Sequence, residues 1–283
     1  MITTTFLADQ KFRLGVRQNY KMEIFMRHNK SLLPHRLHLL DEYRGLVILN
    51  MITYHAVWDL VYIFGHRWHW YVSEGAHIWQ QFICWSFILL SGFCWQMSKN
   101  HLKRGLLVFG GGIVITVATL LFMPESQVIF GILTLLGSAM QLMIPCHKLL
   151  QKIPPVIGSI GAFLLFLFTR SINNGTLGIG TFWSITLPHN WYDNLITTYL
   201  GLPEPGFYST DYFSVFPWFF LFVTGYFIYG VYTTHESVLK KILQKSICPP
   251  LGWIGRRSLI IYMLHQPIVY GILFIFSESN LLF

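Results

Sequence analysis

Charged residues are scarce in this sequence. Asp, Glu, Lys and Arg together make up 11% of its 283 residues, where a soluble domain carries roughly 25%. With 53% hydrophobic and 17% aromatic residues, and a mean hydropathy of +0.49, a water-facing globule is excluded. So is an added soluble domain of ordinary size, about 100 residues, because no stretch of that length lies clear of the apolar runs. Cysteine is sparse too: Cys84, Cys94, Cys146 and Cys248 form no C-x-x-C spacing. That argues against a disulfide framework and a zinc site, and no metal is expected. No secretory leader is expected either, since residues 1–36 are polar and basic with no apolar core ahead of a cleavage site. The first apolar run is expected to serve as its own insertion signal.

What the sequence does have is long apolar runs. Seven of them can cross about 30 Å of hydrocarbon: Gly45–Phe64, Ile78–Met97, Gly105–Phe122, Val128–Ile144, Ile153–Thr169, Phe213–Val231 and Leu259–Phe276. The net charge of +8 would point to nucleic acid in a soluble protein. Beside membrane spans it reads as cytoplasmic loop charge instead, and no nucleic acid is expected. Of the 20 cationic side chains, all but Arg67 and Arg170 fall before the first run or in every second connection. This alternation predicts an all-α polytopic membrane bundle of about seven transmembrane helices, N-terminus cytoplasmic and C-terminus outside. Residues 1–36 are read as a basic cytoplasmic segment and residues 37–283 as one transmembrane domain.

The connections expected outside are aromatic. The first holds His66, His69 and His77 among Trp68, Trp70 and Tyr71. The third, residues 170–212, carries Trp183, Trp191, Tyr192, Tyr199, Phe207 and Tyr208. Such residues serve either as interface anchors or as a platform for a carbohydrate or lipid, and both readings stand.

Ionisable side chains inside a span are expensive and mark candidate functional sites. His55 lies eleven residues past Arg44, about 16 Å along a helix and near the midplane. Asp59 follows one turn later on the same face. His265 lies eight residues past Arg257, about 12 Å in, at a similar depth. A neutral imidazole oriented by a carboxylate is a competent general base; a buried His–Asp bond that locks helices is the alternative. Asp41, Arg44, Arg256 and Arg257 stand at the basic ends of the first and last runs, where they would form a collar suited to phosphate. Gly110, Gly111 and Gly112 are read as a close helix–helix approach.

Several segments resemble the heparan-alpha-glucosaminide N-acetyltransferase catalytic family, and the small bacterial members most of all. They are Leu40-Asp41-Glu42-Tyr43-Arg44-Gly45, running into Tyr54-His55 and Asp59-Leu60; Phe130-Gly131-Ile132-Leu133; Ser209-Thr210-Asp211-Tyr212-Phe213 with Pro217-Trp218-Phe219; and Gly255-Arg256-Arg257-Ser258-Leu259 with Tyr262, His265, Gln266 and Pro267. The resemblance runs from about Arg36 to Phe276. It implies a membrane acyltransferase that takes an acetyl or other acyl group from cytosolic acetyl-CoA or another acyl-CoA. The acceptor would be an amino or hydroxyl group of a sugar-like or lipid-linked molecule at the outer face, and the setting a bacterial plasma membrane. The lysosomal member is longer, so its glycosaminoglycan specificity does not carry over. It has asparagine at the position of His55, and its functional histidine aligns near His66 or His69.

The expected assignment is therefore His55, Asp59 and His265 as catalytic; Arg44, Arg256, Arg257 and Gln266 as acyl-CoA-binding; and His66, His69, Asp211, Tyr212 and Trp218 as acceptor-binding. Whether His55 and His265 or His66 and His69 act as the base is left open, as is a homodimer. A proton-coupled carrier and a haem protein with two axial histidines are the rival classes.

Overall fold

A computed structural model describes residues 36–179, 183–234 and 236–278. The basic segment expected before residue 36 lies outside them. All seven expected runs are helices: α1 (His38–Trp58), α2 (Glu74–Trp95), α3 (His101–Phe122), α4 (Ile132–Leu150), α5 (Pro155–Thr169), α7 (Val215–Thr234) and α10 (Ser258–Glu278). Counting the turns that extend α1 to Ile63 and α5 to Asn174, each is long and apolar enough to cross a membrane. A short helix α6 (Leu195–Leu200) lies in the long connection, and α8 (Glu236–Leu243) and α9 (Pro249–Arg256) lie before α10. Pro155 opens α5, where its missing N–H costs nothing because first-turn donors have no partner anyway.

The long connection contains structure that composition does not announce. Strands β1 (Thr176–Ile179) and β2 (Trp183–Thr186) form an antiparallel hairpin pairing Thr176 with Thr186. Helix α6 carries a full capping box: the Asn194 side chain accepts from Ile196 N and Thr197 N, and Thr197 returns to Asn194 N. Tyr212 donates to Thr198 O at 2.5 Å and holds α6 against the chain leading into α7.

Helix packing places the polar groups. Helix α9 lies tight against the start of α1, since a Cβ on Gly255 would sit 1.8 Å from Asp41 O and one on Gly45 would sit 2.0 Å from Leu251 O. No other residue allows backbones that close. Of the three consecutive glycines, Gly112 makes the close approach: its Cβ would fall 2.7 Å from Thr134 N on α4, whereas Gly110 meets nothing within 4 Å. The main core lies among α2, α4, α5 and α7, with Phe166, Phe222, Leu221 and Ile88 fully buried.

The start of α4 departs from expectation. The fourth apolar run begins at Val128, but the helix begins at Ile132. Gly112 stands eleven residues into α3, about 16 Å from its basic end. Its contact with Thr134 therefore puts the first turn of α4 at mid-depth. The chain leaves α3 at Phe122, makes one 3₁₀ turn at Pro124–Ser126 and folds back to that depth without an α-helix.

Candidate functional site

Backbone outside a helix survives at membrane depth only when protein satisfies its polar groups. Two such segments satisfy one another here. Thr210 N donates to Gln127 O at 3.0 Å and Phe213 N to Phe130 O at 2.9 Å. Ile129 N donates to Ser209 Oγ at 2.9 Å, and that hydroxyl donates to Ile129 O at 3.0 Å. Phe130 is held at φ 57°, a left-handed conformation that non-glycine residues adopt mainly where the surroundings impose it. Ile132 N, the first donor of α4, reaches Asp211 Oδ2 at 3.3 Å, so Asp211 sits at the positive end of that helix.

Asp211 was expected among outer acceptor-binding residues. The pairing instead carries it into the bundle, within coulombic range of the Cys84 thiol on α2 and the Tyr262 hydroxyl on α10. Tyr262 lies one turn before His265, with the two rings 5.3 Å apart.

His55 and His265 meet across the α1–α10 seam, their ring centroids 4.9 Å apart. Their depth matches that of Asp211. Met263, two residues before His265, lies 3.4 Å from where a Cβ on Gly111 would stand, and the neighbouring Gly112 touches α4. His265 Nδ1 is 2.5 Å from Tyr262 O. A carbonyl only accepts, so Nδ1 carries the proton and Nε2 presents its lone pair.

Asp59 does not orient either histidine as expected. Helix α1 ends at Trp58 and widens into a π-helical turn over Asp59–Ile63, a distortion common at functional sites. There Asp59 is 0% exposed and accepts a 2.6 Å bond from Gln266 Nε2. Gln266, expected among the acyl-CoA-binding residues, lies with the histidines. Asp59 Oδ2, His265 Nε2 and Gln266 Oε1 are buried and, among the described residues, without a hydrogen-bond partner. A buried polar atom left so costs about 1–3 kcal/mol, and three on one seam form a constellation that a polar ligand would satisfy.

The collar is assembled, with part of its charge engaged. Arg44 makes an ion pair with Asp41 at 3.4 Å and donates to Cys94 Sγ at 3.0 Å. Arg257 lies 4.2 Å from the centre of the Trp253 ring, and Arg256 is exposed. The α1–α9 contact brings all three arginines to one end. The sequence reading passed over Glu42, which is 4% exposed. It accepts from Ser246 Oγ at 2.5 Å and from Ile247 N at 3.0 Å and 3.1 Å, fixing the chain that enters α9.

At the other end, Tyr71 is 5% exposed and packs on Tyr54, ring centroids 5.1 Å apart, which folds the first loop back beside α1. His66 and His69 follow the π turn; His66 is half-buried and His69 exposed. Phe64 meets the Tyr270 ring at 6.0 Å, and Tyr270 is five residues past His265, about 7.5 Å further along α10. The structure thus separates the two histidine pairs by depth. Trp218 is half-buried and packs on Phe166 and Phe213, with centroids at 5.4 Å and 5.0 Å, against the core. Among the described residues, no three His, Cys, Asp or Glu side chains are placed to hold a metal ion.

No curated protein and no solved structure matches this chain. One family does, described as heparan-alpha-glucosaminide N-acetyltransferase, catalytic, and it covers residues 36–267. Both paired segments, the histidine seam and the collar fall inside that range, and the chain belongs to the heparan-alpha-glucosaminide N-acetyltransferase catalytic family.

Proposed function

We propose that this acetyltransferase-like membrane protein moves an acyl group from acyl-CoA to an amino or hydroxyl group of a sugar-like or lipid-linked acceptor. The basic end is read as cytoplasmic, so donor and acceptor approach the seam from opposite sides. Arg44, Arg256 and Arg257 receive the CoA phosphates. His265 Nε2 takes the acceptor's proton as its nitrogen or oxygen attacks the thioester carbonyl. The C–S bond breaks, the new C–N or C–O bond forms, and the departing sulfur recovers the proton through the imidazole pair. Asp59 holds Gln266 so that Oε1 can accept from the acceptor's N–H or O–H. Asp211, at the depth of the seam, and the adjoining Tyr212 would contact the acceptor there, with His66 and His69 nearer its entry.

The observation that carries this reading is the set of three unpartnered polar atoms beside a 4.9 Å histidine pair, in a chain of this family. Acetyl-CoA should raise the melting temperature of the detergent-purified protein, because a ligand that binds only the folded state stabilises it. Arg44→Ala and Arg256→Ala should each shrink that rise. A melting temperature indifferent to every short acyl-CoA would refute the donor assignment. For orientation, a lone cysteine replacing Ser73 should react with an impermeant thiol reagent in intact cells, and one replacing Asn100 should not. The reverse pattern would turn the protein over.

A further inference from the structure

A groove of about 710 Å³ runs along the lipid-facing side of α2 and contains none of the seam residues. It extends from His77 to Phe93, with Leu40 and Tyr43 of α1 on one wall and Gly225 and Ile228 of α7 on the other. The sixteen helical steps from His77 to Phe93 span about 24 Å, most of a hydrocarbon core of about 30 Å. The volume falls within the roughly 300–1,000 Å³ of ligand sites. Along α2 the lining is almost wholly apolar, with Ile78, Phe82, Leu89, Leu90 and Phe93.

Polarity gathers at the end nearer the aromatic connections. Arg170 Nη2 donates to Gln81 Oε1 at 3.2 Å, and the same oxygen accepts from Trp85 Nε1 at 3.0 Å. The guanidinium carbon lies 5.4 Å from the Trp85 ring centre. These contacts fix the cation at the groove mouth and leave other N–H donors of the guanidinium available. Among the described residues no carboxylate pairs with Arg170. A hydrocarbon-lined channel of membrane length with one fixed cation at its head is complementary to a lipid with an anionic headgroup. An apolar helix laid in the groove would leave that cation without a counter-charge.

We propose that this groove binds one anionic phospholipid from the leaflet at the aromatic end, its phosphate on Arg170 and an acyl chain along Phe82, Leu89 and Phe93. The site stands whether or not the seam transfers acyl groups.

Native mass spectrometry of the full-length, delipidated protein tests it, with dioleoyl phosphatidylglycerol and dioleoyl phosphatidylcholine as the probes. One phosphatidylglycerol should be retained about tenfold more strongly than phosphatidylcholine, the scale of one charge-assisted phosphate contact. Arg170→Gln should abolish that preference and Arg170→Lys should keep most of it. Ile228→Trp, at a position 41% exposed, should block both lipids by filling the groove. Retention unchanged by Arg170→Gln or by Ile228→Trp would overturn the proposal. So would an isoprenyl phosphate held more tightly than phosphatidylglycerol, or a protein dimer that Ile228→Trp disrupts.

Discussion

Two regions of this bundle divide its work. Helices α5 and α7 contain no Asp, Glu, Lys or Arg between Pro155 and Thr169 or between Val215 and Thr234. Their contact is built on Phe166, Phe222 and Phe227, all buried, and its helices stay regular apart from the first turn of α7 at Phe216. The α1–α10 seam with the paired segments is the opposite. It collects His55, Asp59, Asp211, His265 and Gln266, and its backbone leaves the α-helix at the π turn and before Ile132. One region supplies rigidity, and the other uses that rigidity to keep expensive polar groups in place.

The contrast can be broken from either side. Phe166→Ala should cost on the order of 3–5 kcal/mol of stability, as for other large-to-small changes in a packed core. Transfer per folded molecule should change little, which denaturant unfolding and single-turnover activity on the same sample would establish. A fall in activity with no fall in stability would mean that the apolar block takes part in the chemistry.

A smaller effect of the opposite sign is expected at Asp211. Its carboxyl sits within the bundle with one backbone donor, Ile132 N, and a charge held there is costly. Asp211→Asn keeps an oxygen for Ile132 N and removes the charge. It should melt a few degrees higher than the parent at neutral pH. A lower melting temperature would contradict the place of this group inside the bundle.

The spans were legible in the sequence because each apolar residue adds to one local signal. The depth of His55 and His265 was legible for a related reason, since 1.5 Å per residue turns sequence distance into position. Three things were not. Val128–Gly131 is apolar enough to read as helix, but its backbone is claimed by Ser209, Thr210 and Phe213, some 80 residues away, and hydropathy carries no trace of that pairing. Asp211 looked like a loop residue for the same reason. Gln266 beside Asp59 depends on how the π turn rotates the carboxylate relative to α10, which ideal helical spacing from His55 could not anticipate. The family segments around Phe130 and Asp211 were visible as separate motifs; their contact was not.

The most direct test of the central claim measures acyl transfer from radiolabelled acetyl-CoA by purified, folded variants. His55→Ala and His265→Ala should each lose about 10²–10⁴-fold, the range of general acid–base catalysis. Gln266→Ala should lose about tenfold, the worth of one oriented hydrogen bond. His66→Ala and His69→Ala should keep at least about a tenth of the parent rate, as groups that contact the acceptor without taking its proton. Full activity in His265→Ala, or a folded but inactive His66→Ala, would contradict the account and move the catalytic base from the seam to the first aromatic loop.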